Sequence, residues 1–99
     1  MNYSRVSVVV PIRPGGSADV VLASLKQVDY PQELIEIFVI EGSNPSFQRN
    51  EGISKACGEI IFFFDDDSEV EPGLFKKVVA TYQDYPDAAG VGGPAYLKG

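Results

Sequence analysis

The stretch Gly58-Glu59-Ile60-Ile61-Phe62-Phe63-Phe64-Asp65-Asp66-Asp67 decides how the rest of this sequence reads. Five large apolar residues in a row, with no polar alternation, predict a strand buried on both faces, as in a parallel sheet. Three aspartates then end the strand. Like charges at the end of an apolar strand repel one another, and partial burial adds a desolvation cost. Two readings of the triplet stay open. One is a solvated acidic loop ahead of a helix, where the helix dipole favours acids. The other is a site for a hard divalent cation, Mg²⁺ or Mn²⁺, which binds through one or two carboxylates while also holding substrate phosphates.

Upstream, two more apolar runs match the first. Arg5–Val10 (RVSVVV) is rich in β-branched residues and reads as a buried strand, and Ile35–Ile40 (IEIFVI) reads as another. Pro11, Pro14, Gly15 and Gly16 end the first, and Glu41-Gly42-Ser43-Asn44-Pro45 ends the second. Between them Ala18, Val21, Leu22, Leu25 and Val28 fall at helical spacing behind a Ser17 N-cap, and Tyr30-Pro31 closes that helix. Gln48–Cys57 predicts a short second helix with Ile53, Ala56 and Cys57 on one side; Gly52 weakens it and Gly58 suits its C-cap. After the aspartates, Pro72 fits the first turn of a third helix, striped by Leu74, Phe75, Val78, Val79 and Tyr82 and ended by Pro86. Ala89–Val91 starts a fourth strand that Gly92-Gly93-Pro94 interrupts.

Strand and helix therefore alternate. That order predicts an α/β fold with a Rossmann-like, open, mainly parallel sheet flanked by helices, and residues 1–99 read as one domain. In such sheets ligands bind beyond the carboxyl ends of the strands. The loops expected there are Pro11-Ile12-Arg13-Pro14, Glu41-Gly42-Ser43 and Asp65-Asp66-Asp67.

Composition excludes several chemistries. Fourteen acids against eight bases give a net charge of −6 with no basic cluster, so neither nucleic acid nor an anionic membrane is an expected partner. No histidine is present, which removes histidine-based triads and histidine metal ligation from this chain. The longest apolar run, Ile60–Phe64, is far too short to span a bilayer. The lone Cys57 has no internal disulfide partner and is expected to be a small buried hydrophobe. A reducing compartment follows: the cytoplasm, or its face of a membrane if the whole protein is anchored.

Five segments, in order, resemble family 2 glycosyltransferases of the GT-A fold. Val6–Pro11 looks like their opening strand, and Ile37–Ser43 like the strand leading to an acid-Gly-Ser motif. Gln48-Arg49-Asn50-Glu51-Gly52 resembles an Ala-Arg-Asn-x-Gly helix start. Gly58–Asp67 resembles the strand entering the DxD motif, and Glu71-Pro72-Gly73-Leu74 the helix start after it. The resemblance covers about Val6 to Gly93 and implies a GT-A domain that is truncated.

It also implies roles. Pro11 and Ile12 would line the base pocket, Glu41 would contact base or ribose, and Arg49 would stand near the nucleotide. Asp65 would lie near ribose or base and beside the metal, Asp66 would be the variable middle residue, and Asp67 would hold the Mg²⁺ or Mn²⁺ that bridges the diphosphate. The implied partner is a nucleoside-diphosphate sugar, UDP-, GDP- or dTDP-linked. The family's general base is expected beyond Gly99, so the isolated 99-residue chain is expected to lack transferase activity. Self-association through the open sheet edge of a cut domain is a further expectation. The alternatives are a non-catalytic nucleotide- or metal-binding module of the same fold, and a phosphoacceptor regulatory domain. The latter needs an acid pair where this chain has Pro11-Ile12-Arg13-Pro14. The sequence departs from the family in carrying one acid before Gly42-Ser43, Pro14 at a position that is polar in many relatives, and a short segment from Ser43 to Gln48.

Overall fold

A computed structural model of the chain describes residues 3–84 and 95–97, with side chains described over 3–81. The order is β1 (Val6–Ile12), α1 (Asp19–Leu25), a 3-10 turn (Gln32–Leu34), β2 (Ile35–Glu41), α2 (Pro45–Lys55), β3 (Ile60–Phe63), α3 (Leu74–Asp84) and β4 (Ala95–Leu97). The sheet runs β2-β1-β3-β4. β1 pairs parallel with both β2 and β3, and β4 pairs antiparallel with β3. The expected mainly parallel α/β sheet is therefore present. The Ala89–Val91 strand, its Gly92-Gly93-Pro94 interruption and the Pro86 helix stop lie outside the described residues, as does the Tyr82 side chain.

The register sorts the core into two layers. On one face Val6, Val8, Val10 and Ile12 of β1 meet Ile60 and Phe62 of β3 under Val21 and Leu25 of α1 and Phe75, Val78 and Val79 of α3. On the other, Val9, Ile40 and Ile61 pack with Ala56, and Phe38, Ile53 and Phe63 close the rim. Burying such surface is the main stabilising term of the fold.

Several local expectations are corrected. β2 is not covered on both faces. It is an edge strand: Ile35 packs against the core that α1 and α3 cover, but Ile37 and Val39 are 37% and 40% exposed. β1 continues through Pro11 to Ile12 instead of stopping at Val10. The Val9 carbonyl faces β3, accepting from the Phe64 N–H, and Ile12 faces β2, accepting from the Gly42 N–H. Pro11, two residues after Val9, thus turns its missing donor toward β3, which has already ended. α1 starts at Asp19 with Ala18 as its cap; Ser17 Oγ accepts from the Asp19 N–H without occupying the cap position. α1 also stops at Leu25, five residues before Tyr30. α2 starts at Pro45, three residues earlier than Gln48, because Asn44 Oδ1 accepts from the Ser46 and Phe47 N–H groups and Pro45 fits the first helical position. Pro72 precedes α3 in a turn closed by the Leu74 N–H on the Glu71 carbonyl.

Two glycines explain how α2 lies so close to the sheet. A Cβ on Gly52 would stand 2.4 Å from Val9 Cγ1. One on Gly58 would stand 2.7 Å from the Ser7 nitrogen and 2.8 Å from the Val6 carbonyl carbon. Gly58 does not cap α2 in the left-handed conformation, since Gly15 is the one positive-φ glycine among the described residues. α2 ends instead in extended backbone at Ala56, and Gly58 lets the returning chain cross β1.

A polar knot lies beneath that crossing. The Glu36 carboxylate accepts from Ser7 Oγ at 2.5 Å, from the Cys57 N–H at 2.5 Å and from the Gly58 N–H at 3.2 Å. Cys57 is exposed, not buried: its backbone turns in toward Glu36 and its side chain turns outward. Burial pushes the Glu36 carboxyl up, but these three hydrogen bonds and the nearby Arg5 outweigh it and hold the pKa below its ordinary 4.5. A depressed carboxyl stabilises the fold above its unfolded value, and that contribution is lost as pH falls through the folded value. The melting temperature should therefore drop as pH goes below 4.5. Melting curves of Glu36→Gln should show a shallower pH dependence in that window; parallel curves would contradict the knot.

Candidate functional site

The strand order places a topological switch point at the carboxyl ends of β1 and β3. From β1 the chain moves outward to β2 on one side and then returns to β3 on the other, with α1 and α2 on opposite faces. Crevices at such points are where open α/β sheets bind ligands. A cleft of about 500 Å³ lies there, lined by Pro11, Arg49, Phe63, Phe64, Asp65 and Ser68. That volume lies within the usual range for small-molecule sites. Pro11 also lines a neighbouring cleft of about 160 Å³ with Ile12, Arg13, Gly42, Ser43, Pro45 and Gln48. Gly42, Ser43 and Gln48 in turn line a third, of about 230 Å³, with Glu41, Asn44 and Phe47 among its other walls. The three share walls and follow the carboxyl edge of the sheet from β3 to β2.

The expected site residues divide accordingly. Pro11, Arg49 and Asp65 come together in the largest cleft. Ile12 and Glu41 line the two smaller ones. Asp66 and Asp67 line none of the three. The backbone explains the split. The Asp65 N–H donates to Ser68 Oγ at 2.9 Å and the Ser68 N–H donates to the Asp65 carbonyl at 3.1 Å, closing a turn with Asp66 and Asp67 at its tip. The Asp66 carbonyl accepts from the Val21 N–H, so the tip is tied to α1. Ser24 Oγ, bonded to the Val70 N–H at 2.6 Å, ties the same segment further along. The acidic loop is thus held at two points on α1.

The β1–α1 loop is held as well. The Gly16 N–H donates to the Arg13 carbonyl, with Pro14 and a positive-φ Gly15 (76°) between them, the residues that a type II turn favours. The Gly15 N–H reaches Glu41 Oε2 at 3.4 Å, joining this loop to the end of β2. Arg49 is exposed, with no ion-pair or hydrogen-bond partner for its guanidinium among the described residues. The Asp65 and Asp67 carboxylates are exposed and likewise unpartnered there. No group of three acids or cysteines placed to hold a metal gathers among the described residues.

The chain matches the model of glycosyl transferase family 2 over residues 15–98. The chain belongs to that family. A glucosyl-dolichyl phosphate glucuronosyltransferase from Haloferax volcanii is 36% identical to it over 53 residues, which is 54% of this chain and 17% of that protein. Among solved structures, TarS residues 1–349 from S. aureus superposes with a TM-score of 0.74 at 20% identity, covering 83% of this chain and 33% of that one. The UDP complex of the same protein gives 0.69 at 19% identity, with the same coverage. The mannosyltransferase PcManGT from Pyrobaculum calidifontis, in complex with GDP-Man and Mn²⁺, gives 0.72 at 17% identity over 91% of this chain and 35% of that one. The family 2 chain thus has the GT-A fold and spans about a third of the length of these solved neighbours. Among the described residues, no helix is long and apolar enough to cross a membrane.

One residue of the site was missed from sequence. Gln48 is buried at 6% exposure, and its Nε2 donates to the Ile12 carbonyl at 2.7 Å and to the Ile40 carbonyl at 2.6 Å. The available signal was a long polar side chain at the small-residue position of the helix-start motif, next to Arg49.

Proposed function

We propose that this chain forms the nucleotide-binding part of a glycosyltransferase that takes its sugar from a nucleoside diphosphate. The observation that carries the reading is the convergence of Pro11, Arg49 and Asp65 on one cleft at the β1/β3 switch point. A nucleoside diphosphate needs an apolar wall for its base, a cationic side chain for its phosphates and acids to hold the metal ion that offsets the phosphate charge. Pro11 and Ile12 supply the wall, with Glu41 and Gly42 at the far end for base or ribose. Arg49 supplies a planar, permanently charged donor suited to phosphate oxygens. UDP- and GDP-linked sugars are the donors to try first, since the solved neighbours hold UDP and GDP-Man.

Mg²⁺ or Mn²⁺ fits the donor set. Asp65 and Asp67 offer exposed hard-oxygen ligands, and a cation of this kind takes one or two carboxylates and completes its shell with phosphates and water. Asp67 is the residue assigned to hold it and Asp65 the one beside it. When bound, such an ion would neutralise charge on the departing diphosphate. The turn closed by Ser68 and the Asp66–Val21 bond keep the acids in place before any ligand arrives. The acceptor-activating base is not assigned to any residue of this chain.

Fluorescence titration with UDP and with GDP in Mn²⁺ tests the assignment. Arg49→Ala and Asp67→Ala should each weaken the preferred nucleotide by about tenfold or more, the scale of one lost charge-assisted contact. Both side chains are exposed, so melting temperatures should stay near that of the parent chain. Unchanged affinity in both variants would overturn the assignment.

A further inference from the structure

Gln48 does more than fill space. Its two amide protons are spent on the last carbonyl of β1, Ile12, and on the Ile40 carbonyl one residue before the end of β2. Just beyond those two points lie Arg13 and Glu41–Ser43, which wall the two smaller clefts. The Gly42 N–H adds a bond of 2.9 Å to the same Ile12 carbonyl. The amide therefore clamps the two loop origins together from beneath. Its own position is fixed, because the Gln48 N–H makes a helical bond of α2 to the Asn44 carbonyl and the side chain is buried.

Gly42 is matched to this arrangement. A Cβ there would stand 3.0 Å from Gln48 Cγ and 3.1 Å from Cδ, so any side chain at position 42 would press the glutamine away by a few tenths of an ångström. Glutamine at position 48 and glycine at position 42 form one unit. In the helix-start motif this segment resembles, an alanine stands where Gln48 does; a methyl group reaches neither carbonyl.

We infer that Gln48 is a positioning residue for nucleotide binding, setting the spacing of the β1 and β2 loop origins and hence the width of the base-binding end of the cleft. The inference rests on the nucleotide-binding reading above.

The test uses the 99-residue chain, with UDP, GDP and dTDP as probes in Mn²⁺, and pairs affinity with thermal melting. Gln48→Ala should lower both melting temperature and affinity, the latter by roughly tenfold or more. Adding Gly42→Ala should restore much of the melting temperature, because the new methyl enters the space the glutamine left. It should not restore affinity, because neither carbonyl regains the Gln48 amide and only the Gly42 backbone bond to Ile12 remains. Gly42→Ala alone, pushing Gln48 off its acceptors, should lower affinity as well, and serves if Gln48→Ala fails to fold. A packing role alone would bring affinity back together with stability in the double variant, and that result would overturn the inference. So would Gln48→Ala binding as tightly as the parent chain. Failure of the parent chain to bind any of the three nucleotides would instead remove the nucleotide reading on which the inference stands.

Discussion

Gly58→Ala is expected to destabilise the chain by about 3 kcal/mol, the upper part of the usual range for overpacking. The added methyl would meet Ser7 Oγ at 2.6 Å, the Ser7 nitrogen at 2.7 Å and the Val6 carbonyl carbon at 2.8 Å. Two of those three atoms are backbone of β1, the strand paired on both sides. They cannot retreat without breaking the sheet. The Gly58 N–H also donates to Ser7 Oγ and to Glu36, so any shift of the loop loosens the polar knot. For a domain of this size the loss corresponds to a drop of roughly 12 to 24 °C in melting temperature. Ser7→Ala should not rescue it, because the backbone contacts persist. A drop of only about 2 °C would show that the α2–β3 connection moves freely over β1.

Gly52→Ala is the second large effect, and its pattern differs. Here the clash is with a side chain, Val9 Cγ1 at 2.4 Å and Cγ2 at 2.6 Å. Val9 is fully buried and β-branched, so its methyl groups have no alternative rotamer to adopt. Alanine gains about 1 kcal/mol of helix propensity over glycine, against an overpacking cost of about 3 kcal/mol. The net loss should be about 2 kcal/mol. Val9→Ala removes the clashing methyls, and in that background Gly52→Ala should become neutral or stabilising. Chemical denaturation of the four proteins of this cycle gives the coupling directly. Additive losses would contradict close helix-to-strand packing at Gly52.

These two glycines mark the limit of what was legible beforehand. The three apolar runs announced β1, β2 and β3 within two residues, because a strand buried between neighbours carries its burial in composition. Alternation of the runs with helical spacing announced the parallel sheet. The role of a glycine in close approach appears only once a partner is known, so Gly52 read as a helix defect and Gly58 as a cap. The exposure of Ile37 and Val39 was hidden for a related reason: composition reports what is apolar, and strand order reports what is covered. Asn44-Pro45 was a readable helix start that the dense turn signal around it obscured.

Of the residues named from sequence, Pro11, Arg49 and Asp65 line one cleft; the strand ends pointed to Pro11 and Asp65, and the family resemblance to Arg49. Ile12 and Glu41 lie along the same edge, and Glu41 is partly engaged by the Gly15 N–H. Asp66 and Asp67 stand at a turn tip, a placement set by Ser68 and by the tie to Val21, neither of which spacing reveals. Gln48 was invisible because its function depends on two backbone carbonyls brought together by the fold. Family membership explains why the ordered motifs carried more information than any one of them.

On the proposed function the carboxyl edge of this sheet binds a nucleoside diphosphate with help from a divalent cation. Calorimetric titration of the unmodified chain with UDP, GDP and dTDP, first in Mn²⁺ and then in EDTA, tests it most directly. The expected result is saturable binding of at least one nucleotide in Mn²⁺ and its loss in EDTA. Absence of binding for all three nucleotides in both conditions, or binding that EDTA leaves intact, would contradict it.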